Sequence, residues 1–131
     1  MTVDVNRYYV FRNALISLYM NNYTDTIARI HKVMDRVVIE SNYDINYICE
    51  DNSGCGKEIK IRIIINDFDA NKMLNYKSLV DEFIYDIKCF ILSKLLINDD
   101  TFSKDLYTYV YDNGSNICDI VYLGNTIEIK L

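Results

Sequence analysis

The chain of 131 residues contains no proline and no tryptophan, one histidine, three alanines and four glycines. Each scarcity removes a class of chemistry. Four glycines, none arranged as Gly-x-x-x-x-Gly-Lys or Gly-x-Gly-x-x-Gly, leave no phosphate-cradling loop, and no Gly-x-Ser-x-Gly elbow presents a nucleophile. His31 alone gives poor support to histidine-based acid–base catalysis; it falls beside an apolar helical stripe, where a half-buried, hydrogen-bonded ring is expected. No apolar run approaches the roughly 20 residues that span a bilayer, and the N-terminal stretch lacks the basic-then-apolar order of a signal peptide. A cytoplasmic protein with no membrane contact is therefore expected. The shortage of Pro, Ala and Gly beside abundant Ile, Asn and Tyr follows AT-rich coding, as in low-GC bacteria, phages and other viruses. That bias points to a viral or phage source and says nothing about chemistry.

What is present is a core. Half of the residues are hydrophobic and a quarter charged, enough apolar side chain to offset ordering entropy in one compact domain. The formal charge of −5 argues against direct nucleic-acid binding, which needs a basic face. The acids are uneven: residues 37–56 hold Glu40, Asp44, Glu50 and Asp51 with no Lys or Arg, and residues 99–131 hold six acids against Lys104 and Lys130. The first 36 residues are mildly basic, and Arg29, Lys32 and Arg36 share one helix face. The four cysteines read as reduced thiols. Cys49 and Cys55 are too far apart for a zinc knuckle, Cys89 and Cys118 read as small core residues, and Cys55 as an exposed thiol, so no metal site is expected.

Periodicity divides the chain. Residues 4–21 space Tyr8, Phe11, Leu15, Leu18 and Tyr19 on one helical face, and a second helix from Thr24 as N-cap to about Arg36 turns Ile27, Ile30, Val33 and Met34 inward. From Val37 the period becomes two: Ile45, Tyr47 and Cys49, then Ile59, Ile61, Ile63 and Ile65, form the dry face of a hairpin over 37–67. A central helix over 78–97, opened by Ser78-x-x-Asp81, carries one stripe of Val80, Phe83, Ile84, Ile87, Ile91 and Leu95. A second stripe of Tyr85, Cys89, Leu92 and Leu96 lies nearly opposite, which predicts cover on both sides or a dimer contact.

The segment 105–131 predicts a three-stranded meander, with two-residue turns at Asn113-Gly114 and Gly124-Asn125. Its register pairs Tyr109 with Cys118, Tyr107 with Ile120, Tyr122 with Ile127, Ile120 with Ile129 and Asp119 with Lys130. Leu106, Val110, Ile117, Val121 and Leu123 then share a face with polar residues, and five aliphatic side chains there call for a covering layer. The whole is α+β: one domain, three helices and an antiparallel sheet of about five strands in two hairpin units, in the order α-α-β-β-α-β-β-β. The likeness of 44–53 to 105–115 raises a duplicated helix-hairpin unit.

One pattern carries catalytic chemistry. A carboxylate on one strand followed by Glu-x-Lys on the next occurs as Asp44 with Glu58-Ile59-Lys60 and as Asp119 with Glu128-Ile129-Lys130. Period two sets each Glu and Lys on one face, where two carboxylates can hold a divalent ion and the ammonium can steady developing charge. Over these hairpins the chain resembles the PD-(D/E)xK nuclease family; the resemblance implies Mg²⁺ or Mn²⁺ on those acids and phosphodiester hydrolysis. Neither Asp follows a proline, and the first hairpin, followed by a helix and a strand, is the better match.

The leading expectation is a small, acidic, non-enzymatic protein without cofactor: an inhibitor or immunity-type protein blocking the basic, nucleic-acid-binding surface of a partner protein. Its expected binding residues are Asp99, Asp100, Asp105 and Asp112 beside Leu106, Val110, Ile117, Val121 and Leu123. The alternatives are the metal-dependent nuclease and a nucleotide or small-ligand binder with a pocket of Tyr107, Tyr109 and Tyr122. A homodimer is a further expectation.

Overall fold

Alternating isoleucines build the centre of the molecule. In the computed structural model, which describes residues 5–52, 58–112 and 117–131, strand β2 (Glu58–Ile65) buries Ile59, Ile61, Ile63 and Ile65, and strand β4 (Thr126–Lys130) buries Ile127 and Ile129. The two strands pair antiparallel, Ile61 opposite Ile129 and Ile63 opposite Ile127, so the driest rows lie at the middle of the sheet. β1 (Ile45–Asn52) flanks β2 and β3 (Asp119–Leu123) flanks β4, giving the order β1-β2-β4-β3 with every neighbour antiparallel.

Four helices supply the rest of the core: α1 (Val5–Asn21), α2 (Tyr23–Glu40), α3 (Met73–Leu95, after a 3₁₀ turn at Ala70–Lys72) and α4 (Thr101–Asp112). Element order repeats as α-α-β-β twice. The fold is α+β, with four helices and four strands among the described residues where three and about five were expected. Among the described residues no helix is long and apolar enough to cross a membrane.

Three expectations are corrected. The largest concerns 105–112, which is helix and not strand, so Tyr109–Cys118 and Tyr107–Ile120 do not pair. Its tyrosines alternate and favour strand, but Ser103, Leu106 and Val110 also fall at i, i+3 and i+7, and those are the side chains buried. The Asp100 carboxylate accepts hydrogen bonds from Ser103 N and Oγ, both at 2.8 Å, and closes the first turn. Packing thus overrode β-propensity. Of the segments 44–53 and 105–115, whose likeness raised duplication, residues 45–52 form β1 and residues 105–112 belong to α4.

The second concerns Val37–Glu40, which extend α2: Val37 continues the buried stripe of Ile30, Val33 and Met34, while Ile39 is exposed. The helix stops at Ser41, whose extended backbone still donates its N–H to Val37 O. It also starts earlier than Thr24, after a single linking residue, Asn22. Third, α3 begins at Met73, five residues before Ser78, whose hydroxyl donates to Asn75 O.

The predicted register of the last hairpin does form, with Asp119, Ile120 and Tyr122 opposite Lys130, Ile129 and Ile127. Gly124 takes φ +59° in its two-residue turn, a conformation L side chains rarely adopt. The Asn113-Gly114 turn and the loop holding Cys55 lie outside the described residues.

Named contacts join the layers. Arg12, almost fully buried on α1, donates to Ile117 O (3.1 Å) and Lys130 O (3.2 Å) and stands 3.5 Å from Asp119 Oδ2. Tyr19 donates to the same Ile117 O, and burial pushes its phenol far above the ordinary range. α3 lies between α2 and α4: Asp86 meets Arg29 (3.1 Å) and Arg36 (3.4 Å) on one flank, and Lys88 on the other donates to Tyr111 O. α4 reaches α1 through Phe11, whose ring lies 4.7 Å from Tyr109 and 5.7 Å from Phe102.

Candidate binding face

The nine residues expected to bind do not share one surface. Leu106 and Val110 are core residues of α4, and Ile117 is fully buried where the chain enters β3. Val121 and Leu123 alone stand exposed on the open face of the sheet. The covered mixed face is therefore corrected: Leu106 and Val110 face inward because 105–112 is helix, Ile117 is buried ahead of β3, and no described element lies over the other two. The four acids stay together near α4. Asp99 is wholly exposed and meets Lys104 at 3.1 Å; Asp105 and Asp112 are exposed along the helix. Asp100 caps α4, and the hydrogen bonds from Ser103, the backbone one first, hold its carboxyl below the usual aspartate range.

The Glu-x-Lys hairpins part company. Asp44 lies just before Ile45, which pairs with Ile65, whereas Glu58 pairs with Asn52 at the far end of the hairpin. Eight residue steps along the strand, roughly 26 Å, separate the two positions, so the first set is not brought together. The second set is: Asp119 faces Lys130 across β3–β4, with Glu128 on the same side of the sheet. Both of its carboxylates already meet cations of the protein, Asp119 that of Arg12, and Glu128 those of Lys60 (3.4 Å) and Arg62 (3.6 Å). Arg62 also meets Glu50 at 2.6 Å, which makes a charge ladder across β1, β2 and β4. Among the described residues no group of three or more His, Cys, Asp or Glu is placed to hold a metal ion. The tyrosine pocket does not assemble either, since Tyr109 stacks on Phe11, Tyr107 faces Tyr111 at 6.5 Å, and Tyr122 lies on β3.

Helix α3 supplies what the sequence misplaced. Its second stripe was expected to be covered, yet Tyr85 is 69% exposed and Leu96 71%, Cys89 is exposed and Leu92 half-buried. Spacings of four, three and four place these residues in one ridge along the side of α3 away from the core, roughly 16 Å long at 1.5 Å per residue. The ridge arises because α3 has more apolar circumference than the sheet, α2 and α4 cover. Ile97, 78% exposed, and Phe102 extend the apolar surface at the α3–α4 corner. A groove of about 490 Å³ lined by Arg36, Glu40, Asp81, Glu82 and Tyr85 opens at one end of the ridge. A second, of about 370 Å³ and including Leu96, Asp99, Lys104 and Tyr107, opens at the other.

Charge pairing distinguishes this surface. Glu40, Asp81, Glu82, Asp105 and Asp112, all on α2, α3 and α4, make no ion pair or hydrogen bond among the described residues. The cations nearest the ridge are engaged: Arg36 by Asp86, Lys88 by Tyr111 and Lys104 by Asp99. The strip of Arg29, Lys32 and Arg36 thus serves partly to join α2 to α3.

At the edge of the sheet the sequence missed a hydrogen-bonded chain. Tyr47 donates to Asp35 Oδ1 at 2.7 Å and lies 2.7 Å from His31 Nδ1, so the imidazole donates from Nδ1. His31 is exposed, not half-buried, because its partner comes from β1, which sequence spacing could not reveal. Partial burial and then Asp35 raise the Tyr47 phenol. Of the thiols, Cys118 is buried as expected and pushed up to about 12 by that burial, whereas Cys89 is exposed and not a core residue.

No family model, no curated protein and no solved structure matches the chain.

Proposed function

We propose that this is a non-enzymatic binding protein whose helical face engages a macromolecular partner with a basic surface. The observation that carries the reading is the distribution of unpaired acids. On the open face of the sheet Glu50, Asp119 and Glu128 each meet a cation, whereas Glu40, Asp81, Glu82, Asp105 and Asp112 on the helices meet none among the described residues. Exposed carboxylates left without local partners add little to folding and supply steering and complementarity toward opposite charge. Where the partner's basic surface is a nucleic-acid channel, occupying it makes this protein an inhibitor or an immunity-type protein.

The test is retention on immobilised poly-lysine as salt is raised. Glu82→Lys with Asp105→Lys is compared with Asp44→Lys and Asp67→Lys, a loop pair with the same change in charge. Elution of the helical-face variant at clearly lower salt than the loop variant is expected; equal shifts would overturn the reading.

A further inference from the structure

We infer that the α3 ridge is the seat for one basic amphipathic helix of the partner. This rests on the reading above and adds to it the shape and chemistry of what binds. Tyr85, Cys89, Leu92 and Leu96 follow the spacing by which one helix presents a seam to another. Three turns of a partner helix match the ridge in length, laying side chains at i, i+3 or i+4, and i+7 along it. Unpaired Asp81 and Glu82 lie one turn before Tyr85, with Glu40 in the same groove. A helix seated there meets carboxylate at the Tyr85 end, so the turn that lies there must carry Lys or Arg.

The same charges disfavour a second copy of this chain packed with its α3 parallel to this one. A twofold axis parallel to α3 brings Asp81 and Glu82 against their own counterparts. That symmetry opposes carboxylates that lack local cations, whereas a basic helix neutralises them.

The experiment uses two fluorescent 18-residue peptides of Leu, Lys and Ala, identical in composition, one with its leucines in a helical stripe and the other scrambled. Anisotropy titrations against the full chain should show the striped peptide binding at least roughly tenfold more tightly than the scrambled one. Tyr85→Ser with Leu96→Ser, both solvent-exposed and expected to leave the circular dichroism spectrum unchanged, should remove that preference and keep the weak, salt-sensitive binding of both peptides. Asp81→Lys with Glu82→Lys should weaken both peptides. Equal affinity for the two peptides would overturn the helix seat while leaving the basic-surface reading standing; no binding of either would overturn both. Sedimentation equilibrium showing a dimer that Tyr85→Lys with Leu96→Lys dissociates would assign the ridge to a second copy instead.

Discussion

The two outer surfaces of the molecule handle charge in opposite ways. On the open face of the sheet, cross-strand neighbours alternate in sign, and Glu50, Arg62, Glu128 and Lys60 form a ladder across three strands. On the helical face, apolar side chains line α3 while Glu40, Asp81 and Glu82 beside them go unmatched. A surface that neutralises itself contributes a little to stability and has little to offer a partner; one that leaves charge and apolar area open does the reverse. The contrast also explains why Asp119 and Glu128, though assembled on one face, behave as structural ion-pair members.

Substitutions can break this contrast at graded cost. The largest effect is expected at the seam between the layers, where Arg12→Met removes both donors to Ile117 O and Lys130 O. Losing these two charge-assisted bonds, with Tyr19 still donating to Ile117 O, costs about 2–4 kcal/mol, read as a lowered urea midpoint with unchanged slope. Arg62→Ala, which cuts the ladder at its centre, should cost no more than about 1 kcal/mol because its partners are partly exposed, and less at high salt. A wild-type-like urea midpoint for Arg62→Ala in both low and high salt would show that the ladder adds nothing to stability.

Asp100→Ala tests the cap that makes α4 a helix. A carboxyl whose folded pKa lies below its ordinary value of 3.8 contributes stability above that value and loses it as pH falls through the folded pKa. The variant should therefore be less stable than wild type at pH 7, with the gap narrowing below pH 3.8; a gap independent of pH would assign the effect to something other than the charged cap. The smallest effect belongs to the ridge. Tyr85→Ser with Leu96→Ser should change stability by less than about 0.5 kcal/mol, since exposed sites away from caps and core rarely do more. A larger loss in a thermal melt would mean that the ridge is part of the core.

How much of this was legible in advance depended on the element. In β2 and β4, isoleucine at every second position has one reading, and the buried face followed from it; the register of β3 with β4 followed from the Gly124-Asn125 turn. In 105–112, Tyr107, Tyr109 and Tyr111 satisfy period two while Leu106 and Val110 satisfy the helical period. Asp100, which caps the helix, lies outside the ambiguous stretch, and the burial of Leu106 and Val110 decides between the two. For the candidate site, the acids near α4 were identified from composition, but their apolar neighbours were misassigned along with the helix. Tyr85, Cys89, Leu92 and Leu96 were recognised as a stripe, yet nothing in a stripe tells whether another layer covers it.

Local spacing by itself determined the α+β class, the buried strand faces, the Gly124-Asn125 turn and the inner stripes of α1, α2 and α3, because each depends on residues a few positions apart. Only the tertiary structure decided that α4 is a helix, that Arg12 reaches across to Lys130 O, that His31 finds Tyr47, and that one side of α3 stays open. Those outcomes depend on which distant segments arrive beside a residue, and the area they leave uncovered is a property of the packed whole.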